Sequence, residues 1–152
     1  MERGIRKRLY CRYGPIKYDI KIPGKINVIS GDSSTGKSYL AYILSQIQDN
    51  IALNGISEQL ADDCIPYEDI VVAGKDPKKF SDQLKENHDK LFIVDNADAM
   101  FALTGIDSRQ FTDSDNRFLI FSRQGLRFGG CMKDVGQFYQ NGDTIQAVYL
   151  GG

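Results

Sequence analysis

The sequence predicts a single α/β domain, with a layered, mainly parallel β-sheet and an antiparallel β-hairpin near each end of the chain. Strand-like and helix-like segments alternate through the middle of the sequence, as in the strand–helix–strand units of a parallel sheet. Near each end, by contrast, only a short turn separates two strand-like segments. The 152 residues suffice for one core, so we expect one domain over residues 1–152.

The N-terminal part of the sequence predicts three strands. Apolar and polar side chains alternate with period two over Ile16–Ile22, which is typical of a half-buried strand. The segment Arg8–Tyr13 is a candidate hairpin partner for it across the turn Gly14-Pro15. A third strand is predicted over Lys25–Ser30, and it leads directly into a glycine-rich turn.

The middle of the chain predicts helices between buried strands. Apolar residues spaced at i, i+3, i+4 and i+7 predict a helix over Lys37–Gln48. The pair Asp76-Pro77 predicts an N-cap and the first turn of a second helix, which ends near His88. Strands are predicted over Asp69–Ala73 and over Leu91–Val94, whose four consecutive apolar residues are typical of a strand covered on both faces.

The C-terminal third predicts a short helix, a loop, a strand and a hairpin. The short helix is expected over Ala97–Leu103 and the polar loop over Gly105–Asn116. The apolar run Phe118–Phe121 predicts a further strand. The dipeptide Asn141-Gly142 lies between two strand-like segments and is the strongest short signal for a hairpin turn.

The composition excludes several classes of protein. The 19 Lys and Arg against 20 Asp and Glu give a net charge of −1, without the strong positive charge of a dedicated nucleic-acid binder. No segment approaches the roughly 20 apolar residues of a membrane span. The three cysteines form no Cys-x-x-Cys pair and the chain has one histidine, so neither a disulfide framework nor a zinc site is expected. We therefore expect a cytoplasmic protein that does not bind membranes.

The segment from Gly31 to Ser38 matches the phosphate-loop pattern G-x-x-x-x-G-K-[ST] at every fixed position. Glycines allow the backbone to curl so that its N–H groups point at phosphate oxygens. Lys37 would contact the β- and γ-phosphates, and the Ser38 hydroxyl would bind Mg²⁺. The predicted nucleotide-contacting residues are Gly31, Asp32, Ser33, Ser34, Thr35, Gly36, Lys37, Ser38 and Tyr39.

A second segment has the pattern of a Walker B strand. Four apolar residues, Leu91–Val94, are followed by Asp95, as in strands that hold a magnesium ion. With these two motifs the chain resembles the P-loop NTPases, and within them it is similar to AAA-type ATPases that have an additional central strand. The resemblance implies a three-layer P-loop fold, ATP and Mg²⁺ as cofactors, and Ser38 and Asp95 as the metal ligands.

The same resemblance implies further roles in the site. The strand over Phe118–Phe121 would lie between the strand before the phosphate loop and the strand before Asp95. Its last residues, Ser122 and Arg123, would then sense the γ-phosphate. Arg117 and Arg127 are alternative candidates for an arginine that reaches the phosphate of a neighbouring subunit.

The residue after Asp95 departs from the family pattern. Such ATPases usually place a glutamate there to polarise the attacking water, whereas this chain has Asn96. Asparagine can position a water molecule but cannot accept its proton, and Asp98 is the nearest carboxylate that could replace the glutamate. We therefore expect hydrolysis to be weak or stimulated by a partner.

The sequence favours ATP over GTP and leaves three functions open. It contains neither the Asn-Lys-x-Asp motif for guanine nor an Asp-x-x-Gly motif after the phosphate loop. The leading hypothesis is an ATPase that acts as a nucleotide switch with a protein partner or as a homo-oligomer. The alternatives are a small-molecule kinase and an ATP-binding adaptor without catalysis. Basic residues interleaved with tyrosines near the N-terminus leave nucleic acid as a further candidate partner.

Overall fold

The computed structural model describes residues 7–31, 36–48, 64–73, 76–95, 109–122 and 134–149. Within them are eight strands: β1 (Arg8–Tyr13), β2 (Ile16–Lys21), β3 (Ile26–Ser30), β4 (Ile70–Val72), β5 (Leu91–Val94), β6 (Arg117–Ser122), β7 (Asp134–Asn141) and β8 (Thr144–Tyr149). The helices are α1 (Lys37–Gln48), α2 (Pro77–Glu86) and the single turn α3 (Arg109–Thr112). A 3₁₀ turn, Tyr67–Asp69, precedes β4.

All eight strands belong to one mixed sheet with the order β1-β2-β8-β7-β3-β6-β5-β4. The pairs β1–β2 and β7–β8 are antiparallel hairpins. The remaining neighbours are parallel: β2 with β8, β7 with β3, and the run β3, β6, β5 and β4. The two hairpins therefore meet each other through β2 and β8 and extend the sheet on one side of β3.

The predicted fold class, a three-layer and mainly parallel P-loop fold with separate hairpins, is wrong. The described residues form one eight-stranded mixed sheet, and only two helices, α1 and α2, are longer than one turn. The error has a physical cause. Period-two patterning indicates which face of a strand is buried but not which strand pairs with it, so the pairing of β2 with β8 could not be foreseen.

Most of the individual elements were predicted correctly. Helix α1 has the predicted bounds, and the predicted strands and both hairpins are present with ends that differ from the predicted ones by at most two residues. Strand β6 lies between β3 and β5, as expected. Within the predicted loop over Gly105–Asn116 the chain forms the single helical turn α3, and its Phe111 is buried in the core. The predicted helix over Ala97–Leu103 lies outside the described residues.

Two apolar clusters cover the two faces of the sheet. On one face, α1 buries Leu40, Ile43 and Leu44 against the strands. On the other face, Phe80 of α2 and Phe111 of α3 pack with Phe92 and Phe118 of the strands, with ring centroids 4.7–6.1 Å apart. Both faces of the central strands are thus buried, which explains their continuous apolar sequences.

Several weakly acidic groups are buried in the first cluster or beside it. Burial raises the pKa of the Cys11 thiol from its ordinary value of 9.0 to about 11. Burial likewise raises the pKa of Tyr18 to about 12, and the pKa values of Tyr67 and Tyr149 are raised in the same direction by burial. All four groups keep their protons in the folded chain at a pH where the unfolded chain begins to lose them.

We expect stability to fall as the pH rises above about 9. Between pH 9 and 11 the unfolded state releases the Cys11 proton and the native state retains it, so ionisation favours unfolding. Cys11 alone contributes on the order of 2 kcal/mol to this loss. Urea denaturation at pH 7.5, 9, 10 and 11 measures it. In Cys11→Ala the loss should be smaller, and a loss equal to that of the wild type would contradict the assignment.

Candidate functional site

The ends of three neighbouring parallel strands bring the predicted site residues to one edge of the sheet. Ser30 at the end of β3 lies opposite Ser122 at the end of β6. Val94 at the end of β5 lies opposite Ile120 of β6, and Asp95 follows it. Gly31, Asp95 and Ser122 therefore share the carboxyl edge, where open parallel sheets usually bind their ligands.

The two fixed glycines of the phosphate-loop motif have backbone conformations that L side chains rarely adopt. Gly31 has a φ of 128° and Gly36 a φ of 86°. A side chain at Gly36 would also be crowded, because its Cβ would lie 3.3 Å from both Tyr18 Oη and Ile145 Cδ1. The turn into α1 therefore requires glycine at both positions.

A hydrogen bond joins this turn to the N-terminal hairpin. The hydroxyl of Tyr18 in β2 donates to the carbonyl oxygen of Gly36 at 3.1 Å. The carbonyl of Gly36 also accepts from the backbone N–H of Leu40, which closes the first turn of α1. Sequence reasoning missed the role of Tyr18, although the alternating pattern of β2 places it on the buried face with Ile20.

Lys37, the first residue of α1, is almost completely buried although it is charged. The residue is 5 % exposed, and its Nζ donates to the carbonyl oxygen of Gly31 at 2.7 Å. The ammonium group thus contacts the first fixed glycine of the motif. A cation held there by a neutral carbonyl can redirect one of its three N–H groups to a phosphate oxygen.

Ser38 and Asp95, the two predicted metal ligands, lie close together. The Ser38 hydroxyl is 3.3 Å from Asp95 Oδ1, although the residues belong to α1 and to the segment after β5. Mg²⁺ prefers such oxygen ligands and is usually held by one or two protein oxygens together with phosphate and water. The described residues contain no group of three or more His, Cys, Asp or Glu side chains that could hold a metal alone. The donor set therefore fits a magnesium ion that a phosphate ligand brings with it.

The remaining predicted residues fall into two groups. Ser122 is buried at the end of β6, and Tyr39 is exposed on α1, where it packs against Tyr13 and Tyr42 with ring centroids 6.3 and 6.4 Å away. The others lie outside the described residues: Asp32, Ser33, Ser34, Thr35, Asn96, Asp98, Arg123 and Arg127.

Arg117 lies away from this site. It begins β6, and the six residues of that strand separate it from the carboxyl edge by roughly 17 Å. The prediction that Arg117 serves as an arginine finger for this edge of a neighbouring subunit concerns a contact between two chains and stays a prediction. Its position at the opposite edge gives it different neighbours.

Comparison of the chain with protein-family models, with curated proteins and with solved structures finds no match. The site is therefore assigned from its own residues and geometry. In the described part of the chain, no helix has the length and apolar character needed to cross a membrane.

We expect Gly36→Ala to destabilise the protein by about 1–3 kcal/mol, because it adds both backbone strain and contact with Tyr18 and Ile145. Gly142→Ala is the matched control, since Gly142 has a φ of 66° but no atom lies within 4 Å of the place that its Cβ would occupy. The control should lose only about 1 kcal/mol of stability, because backbone strain is the only cost there. Urea denaturation compares the two, and equal losses would show that the space around Gly36 is not restricted.

Proposed function

We propose that the protein binds ATP together with Mg²⁺ at the carboxyl edge of the sheet and hydrolyses it slowly. The observation that carries the proposal is the 3.3 Å approach of the Ser38 hydroxyl to the Asp95 carboxylate. The two residues are far apart in the sequence, and each was predicted separately as a magnesium ligand. Their meeting beside Lys37 is what a bound magnesium–phosphate unit requires.

The phosphates would be held by three features of the turn and the helix after it. Lys37 supplies the positive charge, and the first turn of α1 supplies backbone N–H groups. That turn contains no acidic residue, so the partial positive charge at the start of the helix is not neutralised locally. Mg²⁺, held by Ser38 and Asp95, would supply charge stabilisation for phosphoryl transfer.

Slow hydrolysis follows from the chemistry of the residue after Asp95. Asn96 can orient a water molecule but cannot take its proton, so the site has no general base at the usual position. A protein of this kind suits a switch whose ATP-bound state lasts until a partner or a second subunit accelerates hydrolysis. The absence of the guanine motifs from the sequence supports ATP as the nucleotide.

We expect Lys37→Ala to weaken ATP binding by roughly 10- to 100-fold, because it removes a charge-assisted contact to phosphate. Lys85→Ala removes an exposed lysine from α2 and is the matched control, which should bind ATP like the wild type. Isothermal titration calorimetry with Mg·ATP measures both. Equal affinities for wild type and Lys37→Ala would contradict the proposal, provided that thermal unfolding shows a folded variant.

Substitution of the metal ligands should remove the magnesium dependence of ATP binding. In Asp95→Asn and Ser38→Ala we expect Mg²⁺ to improve the affinity for ATP much less than in the wild type, while binding in EDTA stays nearly unchanged. Ser45→Ala is the control on the same helix, where the hydroxyl contacts only the Tyr42 carbonyl among the described residues. If Mg²⁺ improves binding equally in all four proteins, Ser38 and Asp95 are not its ligands.

Turnover distinguishes the proposal from the two alternatives. Phosphate release from Mg·ATP without an acceptor, slow and lost in Lys37→Ala, supports an ATPase. Turnover only in the presence of a small-molecule acceptor would indicate a kinase. Tight binding without any turnover, with or without added partners, would indicate an adaptor.

A further inference from the structure

A pocket lies at the amino edge of the sheet, opposite the candidate phosphate-loop site. It has a volume of about 350 Å³ and lies where the chain enters β3 and β6. Its apolar wall contains Ile22 and Pro23, and its charged groups come from Lys7, Lys25, Asp115 and Arg117. We call it the amino-edge pocket. None of its residues belongs to the phosphate-loop site.

Two of its cations are neighbours across parallel strands. Ile26 lies opposite Phe118, so the preceding residues, Lys25 and Arg117, lie side by side where β3 and β6 begin. The backbone N–H of Phe118 donates to the Lys25 carbonyl at 2.8 Å, which fixes this register. Like charges directly opposite each other on adjacent strands destabilise a sheet unless an anion lies between them or beside them.

The charge of Arg117 is not balanced within the described residues. The side chain is half-buried, and this desolvation lowers its pKa. Its guanidinium makes no hydrogen bond or ion pair with any described residue. A partly desolvated cation without a partner is unfavourable, and a bound anion would remove that penalty.

The carboxylate in the pocket is directed to another residue. Both oxygens of Asp115 lie within 3.1 Å of His88 Nδ1, and the Lys25 ammonium donates to the Thr112 carbonyl at 2.7 Å. Lys7 is exposed at the mouth of the pocket. Three lining cations and one lining carboxylate leave an excess of positive charge around the cavity, which the nearby Asp134 carboxylate beside Gly24 reduces but does not cancel.

We propose that the amino-edge pocket binds the phosphate group of a small phosphorylated molecule, with Arg117 and Lys25 as its main contacts. The planar guanidinium can donate two parallel hydrogen bonds to phosphate oxygens, and the two lysines add compact charges from other directions. The volume fits a ligand near the small end of the usual range for small-molecule sites. The pocket and the ATP site lie at opposite ends of β3 and β6, and this proposal does not depend on the proposed function.

The site can be located with pyrophosphate as the probe and backbone amide chemical shifts as the readout. Titration of the full chain in EDTA should shift the amides of Gly24, Lys25, Asn116 and Arg117. In Lys37→Ala, which disables the other site, these shifts should persist with the same affinity. Shifts confined to residues 31 and 36–38, or shifts lost in Lys37→Ala, would overturn the proposal, as would no shift at all.

Substitution of the cations and substitution of the carboxylate should change the affinity for pyrophosphate in opposite directions. Arg117→Gln and Lys25→Gln should each weaken pyrophosphate binding roughly tenfold, and Asp115→Asn should strengthen it, since it removes the negative charge. Lys85→Gln, remote on α2, should have no effect; an equal loss in Lys85→Gln would indicate non-specific attraction and overturn the proposal.

Two further measurements test whether Arg117 serves only to stabilise the fold and whether the pocket binds nucleic acid instead. Arg117→Gln should unfold at a temperature no lower than that of the wild type in phosphate-free, low-salt buffer, because it removes a half-buried cation that has no partner among the described residues. A lower unfolding temperature would show that Arg117 serves the fold instead. A short single-stranded oligonucleotide should bind no more tightly than pyrophosphate, and much tighter binding that depends on Arg117 would identify nucleic acid as the ligand.

Discussion

The parallel pairing of β3 with β6, and of β6 with β5, is the constraint on which both sites depend. Because the three strands run in one direction, Gly31, Asp95 and Ser122 reach the same edge of the sheet. The same pairing places Lys25 beside Arg117 at the other edge. One set of backbone hydrogen bonds thus determines which side chains meet at each end of the central strands.

The hairpins are part of this arrangement and not independent additions. Strand β2 pairs with β8, and its Tyr18 hydroxyl holds the carbonyl of Gly36 at the start of α1. The side chain of Ile145 in β8 approaches the same glycine. Both hairpins therefore support the turn that presents Lys37, so a change in their packing would alter the candidate ATP site.

The sequence predicts individual elements better than their pairing. Helix α1 and the buried strand Leu91–Val94 follow from short apolar patterns, and the Asn141-Gly142 turn follows from its need for positive φ at glycine. The pairing of β2 with β8 joins distant segments with no local signal, and for this reason the fold class was predicted wrongly.

The contacts of the two sites also differ in how far the sequence predicts them. The approach of Ser38 to Asp95 could be predicted, because each residue belongs to a motif with a defined chemical role. The contact of Tyr18 with Gly36 and the pairing of Lys25 with Arg117 depend on the register between strands. No single segment of the sequence contains the information for either of them.

The most direct test of the proposed ATP site is to add ATP with Mn²⁺ in place of Mg²⁺ and to measure the paramagnetic broadening of backbone amides. We predict that broadening is strongest at Gly31, Ser38 and Asp95, since Ser38 and Asp95 would bind the metal. It should be much weaker at Lys25 and Arg117, at the far ends of β3 and β6. Broadening that is strongest at the amino edge, or that shows no preference for the carboxyl edge, would contradict the assignment of the site.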